Sequence, residues 1–235
     1  MSRSSRTITL AMAAALAVST LGLTALAEEP LEAVNTERTY RVTVTNLTDG
    51  QPMTPFVVAT HQSEFSMFAR GQSASFGLQQ LAENGGVPVL VEELTANSAV
   101  ADVAVAAPAA GPPVHPGESV SVDVTAHGEA RWITLAGMLI CTNDGFGGVS
   151  NVKLPTVSKT VYGYAYDAGT EVNTESYADL VPPCDSSGMT GETNPALAEN
   201  AAIHRHPGIS GIANLDPAIH GWSGPVIMVE IELIK

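Results

Sequence analysis

Apolar and polar side chains alternate strictly in Thr39-Tyr-Arg-Val-Thr-Val-Thr45 and again in Ser119-Val-Ser-Val-Asp-Val-Thr125. Side chains point to opposite faces along a strand, so this period of two predicts strands with one face buried and one solvated. Trp132 to Ile140 is instead apolar almost throughout, the pattern of a central strand covered on both faces. Thr160 to Tyr166 sets Tyr162, Tyr164 and Tyr166 on one face and small or apolar residues on the other. Val226 to Ile234 alternates once more, with Glu230 and Glu232 outward, and is read as closing the sheet. Between these segments the period changes. Ser73 to Glu83 and Pro88 to Ala96 carry spaced Phe76, Leu81, Leu90, Val91 and Leu94 around a break at Asn84-Gly85-Gly86, which predicts two short helices. Ala99 to Pro113 fits a strand followed by a turn. From Thr174 to Ser223 no regular pattern holds, and Pro and Gly recur, so a long functional or tied-down loop region is expected. Together these features predict an all-β fold: an antiparallel β-sandwich with a short helical insert and a long C-terminal loop region.

The N-terminus sets the expected compartment. Arg3 and Arg6 precede an Ala- and Leu-rich run from Ile8 to Leu23, and Ala25-Leu26-Ala27 offers a small-x-small cleavage site. These are the parts of a secretory signal peptide over residues 1–27. A short linker, 28–38, and one domain, 39–235, are expected to follow, in a secreted or periplasmic protein. No second apolar stretch of that length occurs, so no transmembrane segment is expected after cleavage. Loss of Arg3 and Arg6 with the leader takes the formal charge from −14 to −16. Nucleic acid and anionic membrane would repel such a chain, whereas a divalent cation would not.

Two cysteines, Cys141 and Cys184, remain in what would be an oxidising compartment. An even count there favours a disulfide, with a pair of unpaired buried thiols as the alternative. Closing a loop of this length stabilises a fold by about 4 kcal/mol on the chain-entropy account. Within or beside that loop stand three acidic residues in Gly-containing stretches that follow strand-like runs: Asp144 in Cys141-Thr-Asn-Asp-Gly-Phe-Gly-Gly148, and Asp167 and Glu171 in Tyr164-Ala-Tyr-Asp-Ala-Gly-Thr-Glu171. Calcium takes about six to eight oxygen ligands from such flexible loops. Asn, Asp and Gly also dominate ordinary solvated turns, and spacing alone leaves both readings open. The pattern is not that of an EF-hand.

The strings Met138-Leu-Ile-Cys-Thr-Asn-Asp-Gly-Phe146 and Tyr166-Asp-Ala-Gly-Thr-Glu171 resemble, in order, two landmarks of the spondin N-terminal domain family in its bacterial, secreted branch. Thr54-Pro-Phe-Val-Val-Ala-Thr-His61 and Gly221-Trp-Ser-Gly-Pro225 add support, and the resemblance runs roughly from Thr39 to Lys235. It implies a β-sandwich with one bound Ca2+, held by three aspartates in the animal domains; position by position these become Asp144, Asp167 and Glu171. Two departures stand out. The third ligand is Glu, one carbon longer, and Gly145 replaces a Trp of the animal domains.

Other chemistry is thinly represented. His204, His206 and His220, with His61, are candidate transition-metal ligands, and His-x-His on a strand turns both rings to one side. Ile203-His-Arg-His-Pro207 is equally a polar loop, and no His-Glu-x-x-His helix is present. There is no Gly-x-Ser-x-Gly elbow and no phosphate-binding loop. A pair of acidic residues for glycoside chemistry is available on paper, but sequence does not give their separation. Tyr162, Tyr164 and Tyr166 could stack on a ligand, or pack as cross-strand pairs. The expectation is a non-enzymatic, calcium-binding adhesion or recognition module with an unidentified cell-surface or extracellular ligand. The alternative is a metal-dependent hydrolase or other metalloenzyme built on the His204/His206/His220 region.

Overall fold

The computed structural model describes residues 37–184 and 193–235. The expected signal peptide and nearly all of the expected linker lie outside the described residues. Nine strands form one antiparallel system: β1 (Arg38–Asn46), β2 (Phe56–His61), β3 (Val100–Ala106), β4 (Ser119–Ala126), β5 (Trp132–Met138), β6 (Gly145–Lys153), β7 (Ser158–Asp167), β8 (His204–Arg205) and β9 (Ile227–Leu233). Two helices, α1 (Phe76–Asn84) and α2 (Val87–Thr95), stand between β2 and β3, and a one-turn helix, α3 (Pro217–His220), precedes β9. The order is β3-β2-β5-β6-β7-β9-β1-β4, with β8 added to β7.

Strand β7 belongs to both halves of the sandwich. Its first part, Ser158 to Gly163, pairs with β9, and its second, Tyr164 to Asp167, pairs with β6. The changeover falls at Gly163, where an added Cβ would lie 2.6 Å from the Gly148 carbonyl oxygen and 2.6 Å from the Ile227 side chain. Only a residue without a side chain lets the strand pass there. Across the sandwich the two edge strands meet: Asp102 Oδ2 of β3 accepts from the Thr125 backbone N–H (2.7 Å) and hydroxyl (3.0 Å) of β4. A carboxylate therefore satisfies an edge donor that would otherwise invite another strand.

The alternation read from β1, β4 and β9 is matched by their burial. Tyr40, Val42, Val44, Val120, Val124, Val229 and Ile231 fill the inter-sheet core, and Glu230 and Glu232 face out. β9 lies between β7 and β1, so it joins the halves rather than ending the sheet. The mostly apolar β5 is covered twice, by the sandwich core on one side and the helical insert on the other. Leu78, Leu81, Leu90 and Leu94 of the helices form a second core with Val57, Ala59, Ala136 and Phe146. Burial of each such leucine stabilises the fold by roughly 1.5–3 kcal/mol. Ser75 caps α1 through Leu78 N–H at 3.2 Å, and Gly85 closes it in the left-handed conformation.

Two readings need correction. Phe76 does not face the core: it opens α1 and is 66% exposed, and Leu78 takes the inward position. The stretch Gly145-Phe-Gly-Gly148, read as a loop, is the start of β6. Its glycines are packing residues. A Cβ on Gly147 would meet Met53 and Val226, and one on Gly148 would meet the Leu135 carbonyl and Phe68. Turn-like composition here reflects close approach of neighbouring chain, not a turn.

Candidate functional site

Cys141 and Cys184 are joined, with Cα atoms 5.3 Å apart. Cys141 follows β5 and is buried with Leu180 and Leu215, so the bridge ties the irregular C-terminal region to the end of the sandwich. Gln51 clamps the same point, accepting from Cys141 N–H at 3.0 Å and donating to the His220 carbonyl at 2.6 Å.

The turn from β5 to β6 places Asp144. Thr142 Oγ1 donates to the Leu139 carbonyl (2.6 Å) and accepts from Gly145 N–H (2.9 Å). The Thr142 side chain fills the space where a side chain on residue 145 would begin, so a Gly fits this turn. Asp144 then sits one residue before the partner of Asp167, since Gly145 pairs with Asp167 between β6 and β7. Both carboxylates are fully buried.

Asp144 also organises the next loop. Its Oδ2 accepts from Thr170 N–H (2.7 Å), Thr170 hydroxyl (3.1 Å) and Glu171 N–H (3.0 Å), and its backbone carbonyl accepts from Ala168 N–H (3.1 Å). Its other oxygen, Oδ1, is buried with no hydrogen-bond partner. Burial, with the neighbouring Asp167 carboxylate, pushes the Asp144 carboxyl up to about 6 against those hydrogen bonds. Asp167 accepts from Gly169 N–H (2.8 Å) and Asn173 Nδ2 (2.6 Å), and its Oδ1 lies 3.7 Å from His204 Nδ1. Gly169 has φ +71°, and its Cα faces the Ala201 carbonyl so closely that a Cβ would come within 2.6 Å. The Gly of Asp-Ala-Gly-Thr-Glu is needed on both counts.

Glu171 reaches the same end of the molecule by a different contact. Its backbone N–H is on Asp144, but its carboxyl takes Asn194 N–H at 3.4 Å. Burial and then Glu83 push that carboxyl up to about 7, with Asp144 and Asp179 adding smaller repulsion. Sequence reasoning missed Glu83. It lies in the last turn of α1, is 3% exposed, and accepts from Gln79 (2.8 Å) and Thr193 (2.5 Å). A polar residue on the inward face of an amphipathic helix was the available signal. Glu175 was missed as well. Its carboxylate accepts from Ser210 N–H and hydroxyl, Gly211 N–H and Ile212 N–H at 2.6–3.0 Å. Burial alone would raise its pKa, but those donors outweigh it and the net shift is downward.

Asp144 and Asp167 are thus brought together and Glu171 stands beside them, nearer in charge to Glu83. Among the described residues, no three His, Cys, Asp or Glu side chains are grouped closely enough to hold a metal ion together as they stand. Asp144 Oδ1 is thus a buried acceptor without a donor, next to a second buried carboxylate.

The histidines go elsewhere. His61 is buried in β2 between Thr134 (2.8 Å) and the Gln62 carbonyl (2.7 Å), and burial lowers its pKa. His220 contacts Asp216 in α3. His204 is exposed, whereas His206 is buried against Trp222, accepts from Gly208 N–H (3.0 Å), and is pushed down to about 4 chiefly by burial. The His-x-His rings therefore have different surroundings.

The strand-sharing antiparallel sandwich, with an acidic pair at a disulfide-tied end, is an all-β module. The Spondin_N family model matches residues 45–186, and the chain belongs to the spondin N-terminal domain family. The match begins inside β1 and ends just beyond Cys184, so it contains Asp144, Asp167, Glu171 and both cysteines, while β8, α3 and β9 follow it. No curated protein matches this chain. Among the described residues, no helix is long and apolar enough to cross a membrane.

Proposed function

We propose that this protein is an exported, non-catalytic recognition or adhesion module whose loop end is held in shape by one calcium ion at Asp144, Asp167 and Glu171. The observation that carries the reading is the buried Asp144 Oδ1, unpartnered beside the buried Asp167 carboxylate. A bound Ca2+ would supply the positive charge that these groups lack. Glu171 would complete the set by exchanging its long contact to Asn194 N–H for the ion, its extra methylene giving the reach. Three carboxylates on one divalent ion leave a local charge of about −1, so the role is structural: rigid loops presented to a cell-surface or matrix partner. The export signal read at the N-terminus and the acidic balance, which disfavours nucleic acid, support the same placement.

The metalloenzyme alternative has one observation in its favour, the buried and unpartnered His206 Nε2; against it, His61, His204 and His220 are engaged separately. Elemental analysis of the purified protein separates the two. Stoichiometric calcium without zinc or copper supports the module, and zinc or copper with hydrolytic turnover lost on changing His204 would replace it.

A further inference from the structure

On the β7–β8 face next to this end, the Arg205 guanidinium lies flat on the Tyr164 ring, 3.6 Å from its centroid, with Tyr166 5.2 Å away. The ion pairs among the described residues are Arg41–Asp123 and His204–Asp167, and Arg205 takes part in neither. Stacking occupies the face of a guanidinium and leaves its in-plane N–H donors free, in the fork that matches a carboxylate. Arg205, Tyr164, His206 and Trp222 line an open cleft of about 320 Å3. A second cleft of about 400 Å3 shares Trp222, Pro207 and Gly208 with it and is also lined by Asp49. The partly buried indole therefore forms a common wall, held edge-on by His206 at 5.1 Å. Both volumes fall at the low end of small-ligand sites, roughly 300–1,000 Å3.

We infer that this trough binds an acidic oligosaccharide, with a uronic-acid carboxylate on Arg205, which Tyr164 holds in place, and a sugar ring against Trp222. A sugar ring offers an apolar C–H face to an aromatic wall and hydroxyls to polar neighbours, and a uronate adds the planar anion that the free guanidinium lacks. A peptide is less well served. β7 is paired with β6 from Tyr164 to Asp167 and with β8 at Tyr166 and Asp167, and β8 is only two residues long, so little strand edge is offered here to register a main chain. The chain's overall negative charge acts weakly over more than about 8 Å at physiological salt, which leaves Arg205 to decide locally. Asp49, which also lines the second cleft, would accept hydroxyls and repel a second carboxylate. The trough therefore fits isolated uronates alternating with neutral sugars better than successive ones.

The test is calorimetric titration of the purified chain in 0.15 M salt, once with calcium and once with EDTA, followed by the Trp222 indole NMR signal. The probes are a hyaluronan tetrasaccharide, neutral chitotetraose and tetragalacturonate. The expected result is binding of the first with a shift of Trp222, and weaker binding of the other two, by about tenfold for the neutral one, the value of a charge-assisted pair. Arg205→Met and Tyr164→Ala, both at exposed positions, should bring the hyaluronan affinity down to the neutral level with melting unchanged. Equal binding of chitotetraose, an unaltered affinity in Arg205→Met, or no binding of any probe in either buffer overturns the inference. Binding that persists in EDTA upholds it even if the calcium reading fails.

Discussion

Asp144 and Asp167 are two fully buried carboxylates on adjacent strands, and Asp144 carries three donors on Oδ2 and none on Oδ1. Repulsion between them costs stability in the absence of a counter-charge. Asp167→Asn removes the repulsion and keeps the side-chain shape. The amide keeps an acceptor for only one of Gly169 N–H and Asn173 Nδ2, which offsets the relief of repulsion, so the expected outcome is a variant no more stable than the parent in EDTA that has lost most of the calcium-induced rise in melting temperature. A ligand at a hundredfold excess over Kd stabilises by about 2.7 kcal/mol, so the parent should rise by several degrees. Thermal melts of both proteins with and without calcium decide the matter.

The calcium response should depend on pH. Asp144 and Glu171 are pushed up to about 6 and about 7, chiefly by burial. A carboxyl raised above its unfolded value, about 4, holds its proton more tightly in the native state, so native stability falls as pH rises from about 4 through 7. His206, pushed down to about 4, works the other way: its contribution is lost as pH falls from about 6.5 toward 4. These slopes oppose one another in the ion-free protein. The difference between calcium and EDTA melts isolates the carboxylates and is expected to grow from pH 5 to pH 7.5. A constant difference across that range would remove Asp144 and Glu171 from the site.

Glu83 should act on the same end from the helical insert. Glu83→Gln keeps its contacts to Gln79 and Thr193 in part and removes the charge that most strongly opposes ionisation of Glu171. The Glu171 carboxyl should titrate lower in the variant, seen by NMR of labelled side chains. An unmoved titration shows that the two do not face each other in solution.

The Cys141–Cys184 bridge closes a separation of 43 residues that contains Asp167 and Glu171. Replacing both cysteines by Ser is expected to cost about 4 kcal/mol, and to weaken calcium binding because the loops must then be ordered on binding. Denaturant unfolding and calcium titration of the variant measure the two effects separately.

Glu175 pins the 208–212 turn through four hydrogen bonds to one carboxylate. Glu175→Ala removes all four bonds; because Ser210, Gly211 and Ile212 are exposed, water replaces the carboxylate in part and the cost should be about 1–2 kcal/mol. Amide exchange should accelerate first at Ser210, Gly211 and Ile212. Because its pKa is lowered in the fold, this contribution is present above about 4.5 and is lost as pH falls below it.

Much of this architecture was legible from the chain alone. Alternation fixed the faces of β1, β4 and β9, because a pleated strand with one dry side tolerates no other pattern, and the nearly continuous apolar run of β5 announced cover on both sides. The broken helical insert was marked by Asn84-Gly85-Gly86, and the two cysteines by their number. Asp-Ala-Gly-Thr-Glu was readable as a loop because its Gly must take a positive φ. What the sequence could not decide were properties set by distant residues. Gly145 to Gly148 looked like a turn until Met53, Phe68 and Leu135 showed that close packing requires them in a strand. Glu83 and Glu175 looked like ordinary surface acids, since their partners are 110 and 35 residues away. Arg205 gained its place on Tyr164 only through the pairing of β8 with β7. Periodicity reports the side of a strand that is buried, whereas the identity of what meets it depends on strand order, and that is a property of the folded chain.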